Sequence, residues 1–376
     1  MATIFDYLEW RGDVSLAADP FNDVDNLVLA ELSYTEFGKY MNETGTTLLS
    51  DIRKNYFIDH SREEIQASDD ILARTALLMD GTVTGVRFGG LLLQDFVSFI
   101  DIYKNMQMAA VTFLLDDGTA YVAFRGTDHT IVGWKEDFYM SYLRETVGQK
   151  AAIDYLNRVG SKLDCPIRVG GHSKGGNFAV YAAAFCKPEI QDKITAVYTN
   201  DGPGFRSEVM NEEGYLKILP KIRSIVPETS FIGLLLNNNL THQVVKSSEK
   251  LLLQHDGMTW QVHRNEFVPS AQTEVSKLFE QTQKAWLGGI SDESRESFVN
   301  SLFSTIESTG VDTFPEIGEQ KIKSIERVVS SVRGMPKDKQ AEFLKIAGVF
   351  LQNGGHVVIK QVEEIFINRN REKGAE

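Results

Sequence analysis

Apolar and polar positions follow two regular patterns from about residue 108 onward. Residues 108–115 and 119–124 are apolar and rich in β-branched side chains on either side of an Asp-Asp-Gly turn, which predicts a β-hairpin. Helical spacing of apolar residues follows at 147–163 and 174–186. Apolar runs bounded by turn residues predict further strands at 167–170, 194–199, 222–226 and 241–247. This alternation predicts an α/β fold, a mostly parallel sheet with helices on both faces.

Both ends of the chain differ from this central pattern. The first hundred residues indicate helices and loops that lead into the sheet, over about residues 1–105. Past residue 268, apolar side chains recur at helical spacing, with breaks at glycines. We therefore predict an α/β domain over residues 1–265 and a helical C-terminal bundle or cap over residues 266–376.

The composition is that of a globular protein, and it excludes several classes of partner. The 376 residues carry a formal net charge of -13 without a basic stripe, which argues against nucleic-acid binding because phosphate contacts need a basic face. The N-terminus lacks the basic and apolar regions of a secretory signal, so we expect a cytoplasmic location. No apolar run is long enough for a membrane-spanning helix. Cys165 and Cys186 are expected to be reduced core thiols.

The strongest candidate for chemistry is a serine in a glycine-rich turn. Residues 171–175, Gly-His-Ser-Lys-Gly, fit the pattern G-x-S-x-G, in which a serine occupies a sharp strand-to-helix turn. Glycines flank the serine because side chains would collide, and the N-terminus of the following helix faces a developing oxyanion. A predicted strand precedes this turn and a helix of small residues follows it, so we predict that Ser173 is a nucleophile. The structural alternative is a glycine turn without chemistry.

A serine nucleophile needs a base that is oriented by an acid, and two carboxylates are candidates for the acid. Asp201 ends the strand predicted after the nucleophile helix, and Gly-Pro-Gly follows it. Glu228 follows the next predicted strand. Both lie at carboxyl ends of strands, where the active sites of parallel sheets are found. We favour Asp201, although either residue can be a turn-forming or solvated carboxylate.

Histidines that follow the acid are the candidates for the base, because the usual chain order is serine, acid, histidine. His255 is favoured, since Gln-His-Asp-Gly predicts a loop from which an imidazole can reach the serine. His242 and His263 are lesser candidates. His129 and His172 precede the acid and are expected to shape the site.

Two backbone amides are candidates for stabilising a negatively charged oxygen in the transition state. One belongs to Lys174, the residue after the nucleophile. The other belongs to Thr127, because Phe-Arg-Gly-Thr-Asp at 124–128 ends a strand with a tight glycine turn. The structural alternative is an ordinary turn in which Arg125 forms a salt bridge.

Together these motifs resemble the class 3 lipases, a branch of the α/β-hydrolases. That family has Phe-Arg-Gly-Thr, a downstream Trp with an Asp, and Gly-His-Ser-x-Gly-Gly in this order. Here the three are residues 124–127, Trp134 with Asp137, and residues 171–176. The chain is also similar to an uncharacterised bacterial family of lipase-like α/β-hydrolases through the runs Phe-Arg-Gly-Thr-Asp, His-Ser-Lys-Gly-Gly-Asn, Asn-Asp-Gly-Pro-Gly-Phe and Gln-His-Asp. The likeness extends over about residues 25–262 and into the helical C-terminal part.

The resemblance implies an α/β-hydrolase fold and a set of site residues. The implied roles are nucleophile for Ser173, base for His255, and oxyanion-hole amides for Thr127 and Lys174. The acid stays open between two positions. Class 3 lipases usually have it after the following strand, where this chain has Glu228, whereas the position of Asp201 is similar to that in pancreatic-type lipases.

The residues and the resemblance together predict a serine hydrolase that cleaves an ester-type acyl bond of a small, lipid-like substrate. Two alternatives stay open: a catalytically silent hydrolase fold that serves as a binding or regulatory module, and a thioesterase or peptidase with the same triad. No metal-ligand spacing, phosphate-binding glycine loop or dinucleotide fingerprint occurs, so we expect no cofactor. The sequence does not indicate an oligomeric state.

Overall fold

The computed structural model describes residues 1–42, 45–68, 70–128, 130–237, 239–289 and 291–307. At its centre is a sheet of eight strands whose order in space is their order in the chain. The strands are β1 (Thr47–Leu48), β2 (Leu92–Asp101), β3 (Met106–Leu114), β4 (Ala120–Phe124), β5 (Ile167–His172), β6 (Ile194–Asn200), β7 (Ile222–Pro227) and β8 (His242–Val245). β1 to β4 pair antiparallel, and β4 to β8 pair parallel. β9 (Val262–His263) and β10 (Glu266–Phe267) form a separate antiparallel pair.

Several of the helices begin at residues that favour helix starts. In the described ranges they are α1 (Ile4–Arg11), α2 (Asp23–Leu32), α3 (Leu49–Asp59), α4 (Arg62–Ala67), α5 (Ile71–Arg74), α6 (Leu78–Thr84), α7 (Ile131–Tyr139), α8 (Val147–Gly160), α9 (Lys174–Phe185), α10 (Pro188–Gln191), α11 (Ser207–Met210), α12 (Glu213–Ile218), α13 (Glu274–Gly289) and α14 (Asp292–Glu307). Asn22 caps α2 by accepting two backbone N–H groups, and Thr146 starts α8 with a capping box. These caps satisfy N–H groups that a helix end leaves unpaired.

Side chains of the central strands enter two separate cores, one on each face of the sheet. On β3, Val111 and Phe113 belong to one core, whereas Met108 and Ala110 belong to the other. Helices α1, α2, α3 and α6 contribute to the first core, and α8, α9 and α12 to the second. Because both faces are covered there, β3 and β4 are buried along almost their whole length and consist mostly of apolar residues. The predicted mostly parallel sheet with helices on both faces is confirmed.

This architecture collects the candidate residues at one edge of the sheet. Thr127 follows β4, Ser173 follows β5, Asp201 follows β6, and Glu228 follows β7. Since β4 to β7 are parallel, their carboxyl ends lie at the same edge, where ligands bind in open α/β sheets.

Two strands of the sheet, β1 and β2, lie in the segment that the sequence predicts as helices and loops. The alternation of β2 is interrupted by a bulge between Gln94 and Val97, where Asp95 has a φ of 55°. Because of this interruption, the sequence of β2 lacks the regular alternation of apolar and polar residues that predicts a strand. The other predicted strands and helices of the central region are present, with ends that differ by a few residues.

The chain divides into two units. One comprises residues 1–128 and 132–291, and the other comprises residues 129–131 and 292–376. The first contains the sheet, and α14 belongs to the second. Residues 308–376, for which the sequence predicts further helices, lie outside the described residues, and the boundary at residue 265 stays a prediction. None of the helices in the described ranges is both long and apolar enough to cross a membrane.

Candidate active site

Ser173 joins β5 to α9 with an unusual backbone conformation. Its φ is 57° and its ψ is -132°, a region that residues other than glycine seldom occupy. The Ser173 N–H donates to the Asn200 carbonyl at 2.9 Å, and the Gly176 N–H donates to the Ser173 carbonyl at 2.9 Å. Strain of this kind is typical of nucleophile turns between a strand and a helix. The turn and the sheet together are those of an α/β-hydrolase fold.

Two glycines allow the backbone to pass close to this turn. A Cβ at Gly175 would lie 2.0 Å from the Phe124 carbonyl oxygen. A Cβ at Gly126 would lie 3.0 Å from the Cβ of Ser173. Any side chain at either position would therefore push the end of β4 away from the serine. The glycines thus hold the loop after β4 against the turn at Ser173.

His255 and Asp201 are joined by a hydrogen bond of 2.6 Å between Nδ1 and Oδ2. Asp201 is buried, whereas 25% of the His255 side chain is exposed. The other carboxylate oxygen of Asp201 accepts from the Ser230 hydroxyl at 2.5 Å and from the Gly233 N–H at 3.1 Å. These donors fix the carboxylate toward the imidazole. An ionised carboxylate only accepts, so Nδ1 donates and Nε2 is left as the basic nitrogen.

The hydroxyl of Ser173 has no hydrogen-bond partner in the part of the chain that the structure describes. The bond from serine to histidine is therefore not formed in this conformation. Catalytic hydrogen bonds are often long in free enzymes and tighten when substrate binds. The hydroxyl is thus not committed to another protein group.

Glu228 forms hydrogen bonds with residues other than His255. Its Oε2 accepts from the Ser270 hydroxyl at 2.6 Å, and its Oε1 accepts from the Gln254 side-chain amide at 3.4 Å. The structure therefore brings Asp201, and not Glu228, to His255.

His172, next to the serine, contacts His255 in two ways. The ring centroids are 4.6 Å apart, and His172 Nε2 lies 2.7 Å from the His255 carbonyl oxygen. A carbonyl only accepts, so Nε2 carries a proton, and Nδ1 accepts from the Tyr34 hydroxyl at 3.0 Å. Burial, with a smaller contribution from His255, lowers the pKa of His172 to about 3. His172 is therefore a neutral ring that holds the backbone of His255.

The segment that carries His255 is anchored through its neighbour Gln254. The Gln254 Oε1 accepts from the Thr229 N–H at 2.7 Å, and its backbone carbonyl accepts from the Trp260 indole N–H at 2.8 Å. His255 ends a 3-10 helix, Leu251–His255. The loop expected from the sequence is thus a short, fixed turn.

Thr127 and Lys174 present two backbone N–H groups beside the turn at Ser173. Within the described ranges, neither N–H has an acceptor. The Thr127 hydroxyl donates to Asp137 Oδ2 at 2.5 Å. Burial raises the pKa of Asp137 to about 6, although the positive charge of Lys174 opposes this shift. Both N–H groups are therefore available to a ligand oxygen.

Arg125 forms salt bridges, as expected in the structural alternative for the turn at residues 124–128. Its guanidinium forms ion pairs with Glu36 and with Asp128, the latter at 3.7 Å. The Arg125 side chain itself is nearly inaccessible. It therefore supports the loop before Thr127.

Of the remaining histidine candidates, the two that the structure describes do not join the site. His242 lies at the amino end of β8, where its Nδ1 is 2.8 Å from the Ser224 hydroxyl. His263 is exposed on β9, and His129 lies outside the described residues. Among the described residues, no group of three or more His, Cys, Asp or Glu side chains can hold a metal ion.

Among the groups at the site that the sequence did not predict are Ser230, Gly233 and Tyr34. Ser230 is a short polar side chain just after the end of β7, and that placement is a signal that could have found it. Gly233 acts through its backbone N–H, which no side-chain pattern reveals. Tyr34 is 138 positions from its partner His172, so its role depends on tertiary structure alone.

Several solved structures that are similar to this chain are lipases. A fungal lipase in complex with an inhibitor, used as a model for interfacial activation, is 16% identical; the match covers 59% of this chain and 77% of the lipase, with a TM-score of 0.36. A triacylglycerol lipase with a serine protease triad is 16% identical, over 60% of this chain and 78% of the lipase, with a TM-score of 0.34. M37 lipase is 14% identical; the match covers 70% of this chain and 80% of the lipase, with a TM-score of 0.36. No curated protein matches.

A family profile gives a closer assignment. The profile of the Mbeg1-like family matches residues 82–304, which is more than half of the chain. The matched span contains Thr127, Ser173, Asp201 and His255. This chain therefore belongs to the Mbeg1-like family, a lipase-like family.

Proposed function

We propose that this protein is a serine hydrolase that cleaves the ester-type acyl bond of a small, lipid-like substrate. The observation that carries the proposal is the 2.6 Å hydrogen bond from His255 Nδ1 to Asp201 Oδ2, at the sheet edge where Ser173 occupies its strained turn. An imidazole that is oriented by a carboxylate beside such a serine is the arrangement that activates a hydroxyl nucleophile.

In the proposed reaction, Nε2 of His255 takes the proton of the Ser173 hydroxyl while Oγ attacks the carbonyl carbon of the substrate. Asp201 stabilises the imidazolium that forms. The imidazolium then gives the proton to the departing alcohol oxygen, which leaves an acyl-serine. A water molecule, deprotonated by the same imidazole, attacks this ester, and the imidazolium returns the proton to Oγ as the acid leaves, which restores the free serine.

The N–H groups of Thr127 and Lys174 are proposed to stabilise the oxygen that becomes negative in the tetrahedral intermediate. Lys174 is the first residue of α9, a helix of 12 residues. Its N–H is therefore one of the unpaired groups at the positive end of the helix dipole. Removal of one donor of an oxyanion hole typically lowers kcat about 10²- to 10³-fold.

Ester hydrolysis by the purified full chain tests the proposal. The wild type should hydrolyse p-nitrophenyl acetate, butyrate and longer esters, and Ser173→Ala should lose at least about 10³-fold in kcat/KM. A fluorophosphonate should label Ser173, as located by peptide mass spectrometry. Ser224→Ala is the matched control, because Ser224 also contacts a histidine, His242 at 2.8 Å, but lies within a strand. This control should keep both turnover and labelling.

Equal turnover by the wild type and Ser173→Ala, with no label on Ser173, would contradict the proposal. That result would instead support a hydrolase fold that acts as a binding or regulatory module. Faster, Ser173-dependent cleavage of acyl thioesters or peptide p-nitroanilides would keep the mechanism and change the substrate class.

A further inference from the structure

A buried charged cluster lies directly behind the nucleophile turn. The Lys174 ammonium donates to Gln107 Oε1 at 2.7 Å, to the Gly133 carbonyl at 3.3 Å and to Glu136 Oε2 at 3.4 Å. The side chains of Lys174 and Glu136 are both 0% exposed. An ion pair that is removed from water is often no more stabilising than apolar side chains of the same volume. Stability alone therefore does not account for this cluster.

Gln107, at the start of β3, connects the cluster to the oxyanion loop. Its side-chain amide donates to the Gly126 carbonyl at 3.4 Å, while its Oε1 accepts from Lys174. The Gly126 carbonyl and the Thr127 N–H belong to one peptide group. Because that group is planar, a contact that fixes the carbonyl also fixes the direction of the N–H. A hydrogen bond to the carbonyl further polarises the peptide and strengthens its N–H as a donor.

The same side chain therefore touches both halves of the proposed oxyanion hole. On one side it holds the peptide that presents the Thr127 N–H. On the other side it holds the side chain of Lys174, whose own N–H is the second donor. The amide of Gln107 matches the two contacts, because it offers one acceptor to the ammonium and one donor to the carbonyl.

Glu136 completes the framework around Gln107. Its Oε2 accepts the backbone N–H of Gln107 at 3.0 Å, and its Oε1 accepts the N–H of Gly148 at 2.7 Å. The next residue, Asp137, accepts the Thr127 hydroxyl. The start of β3, the loop after β4 and the starts of α8 and α9 are thus tied to α7. The positions of the Thr127 N–H and the Lys174 N–H are consequently not independent.

We propose that Gln107 is a positioning residue that aligns the Thr127 N–H with the Lys174 N–H, through its contacts with the Gly126 carbonyl and the Lys174 ammonium. The inference rests on the proposed function. Gln107 acts through the N–H groups of Thr127 and Lys174, and these groups, rather than Gln107, contact the reacting atoms. Since oxyanion donors act more strongly on the transition state than on the bound substrate, loss of alignment should lower kcat and leave KM nearly unchanged.

Gln107→Met, which keeps the length of the side chain without either contact, tests this role in the full chain. With p-nitrophenyl butyrate, we expect kcat to fall about 10- to 100-fold and KM to change less than about threefold, a smaller loss than removal of a whole donor. Inhibition by an alkyl trifluoromethyl ketone, which adds to Ser173 and places an oxyanion in the hole, should weaken by a similar factor.

Gln191→Met is the matched control. Gln191 is also buried and donates to the carbonyls of Ala183, Ala184 and Gly214, away from the oxyanion loop. It should lose thermal stability as Gln107→Met does but keep the kcat of the wild type. Gln107→Glu is a second variant in case the first does not fold. It keeps an acceptor for Lys174 and removes the donor to Gly126, so it should also lose kcat.

The outcomes separate this inference from the proposed function. A wild type that turns over esters through Ser173, together with unchanged kcat in a folded Gln107→Met or Gln107→Glu, would overturn the positioning role alone. Equal losses of kcat in Gln107→Met and Gln191→Met would also overturn it, because the effect would then be general destabilisation. A wild type without Ser173-dependent turnover or labelling would overturn the proposed function and this inference together.

Discussion

His172 donates its Nε2–H to the backbone carbonyl of His255 at 2.7 Å, across 83 positions of the chain. The residue before the proposed nucleophile thus holds the residue that is proposed as the base. Tyr34 holds the opposite nitrogen of the same ring at 3.0 Å. The turn that presents Ser173 therefore also sets the place of the imidazole. This arrangement requires that His172 stays neutral. The stability of the protein should therefore depend on pH.

The protein should lose stability in mild acid through His172. Burial lowers its pKa from 6.5 to about 3; His255 adds to the shift, and Asp201 opposes it. Burial also raises the pKa of Glu31, 3.8 Å from Nδ1, which favours the uncharged form of this neighbour. The unfolded chain therefore takes up the proton first, and stability is lost as pH falls from about 6.5 toward 3.

His172→Gln keeps a donor for the His255 carbonyl without a titrating ring. The decrease in melting temperature between pH 6.5 and pH 4 should be smaller for this variant than for the wild type, as followed by circular dichroism. Parallel melting curves over this range would show that another group causes the acid loss.

Asp201 should matter for turnover and Glu228 should not. Asp201→Asn removes the charge that stabilises the imidazolium, so kcat should fall about 10³- to 10⁴-fold with p-nitrophenyl butyrate. Glu228→Gln is the matched control, and its kcat should stay within about twofold, because Glu228 bonds to Ser270 and Gln254. The opposite order of effects would assign the acid to Glu228.

Asp137 should make the protein less stable as pH rises. Its pKa is raised from 3.8 to about 6 by burial, so the folded state holds this proton more tightly than the unfolded chain. The stability contributed by the protonated form is present below about pH 4 and is lost as pH rises through 6.

Asp137→Asn keeps an acceptor for the Thr127 hydroxyl without the charge. Relative to the wild type, its free energy of unfolding in urea should increase by roughly 1–3 kcal/mol between pH 4 and pH 7. Asp192→Asn is the control, because Lys217 lowers the pKa of this exposed carboxylate and the difference should be small and of opposite sign. A pH-independent difference for Asp137→Asn would contradict the expectation.

Gly126→Ala should impair both folding and turnover. The new Cβ would lie 2.1 Å from the Tyr34 hydroxyl, 2.6 Å from the His172 carbonyl and 3.0 Å from the Cβ of Ser173. The loop must move to relieve these contacts, which should cost about 1–3 kcal/mol and displace the Thr127 N–H. Thermal unfolding and kcat measure the two effects, and a variant with the kcat of the wild type would show that the loop adapts without harm.

The parts of the site that depend on neighbouring residues were predictable from the sequence. The turn at Ser173 is determined by glycines two residues away on either side and by an apolar run on one side. The identity of the acid was not determined in this way. Asp201 and Glu228 both end strands of the sheet, and only the position of His255, 54 residues beyond Asp201, distinguishes them.

The cluster around the side chain of Lys174 could not be predicted from the sequence. Lysine is among the residues that are least often fully buried, so its side chain would be expected in solvent. Its partners Gln107 and Glu136 are 67 and 38 positions away. The sequence therefore identifies the backbone N–H of Lys174, which follows from its place after the serine, but not the cluster that its side chain forms.

The order of the strands bears on how the sheet and the segment around His255 form during folding. Each strand of the sheet lies beside its predecessor in the chain, so the sheet can form by pairing successive strands during folding. The segment after His255 is different, because the Val262 N–H donates to the Ala2 carbonyl at 2.9 Å and the Trp10 indole donates to the Arg264 carbonyl at 3.2 Å. These contacts join positions some 250 residues apart. We expect the imidazole to be the last group to reach its place during refolding, so that recovery of activity lags behind recovery of the sheet.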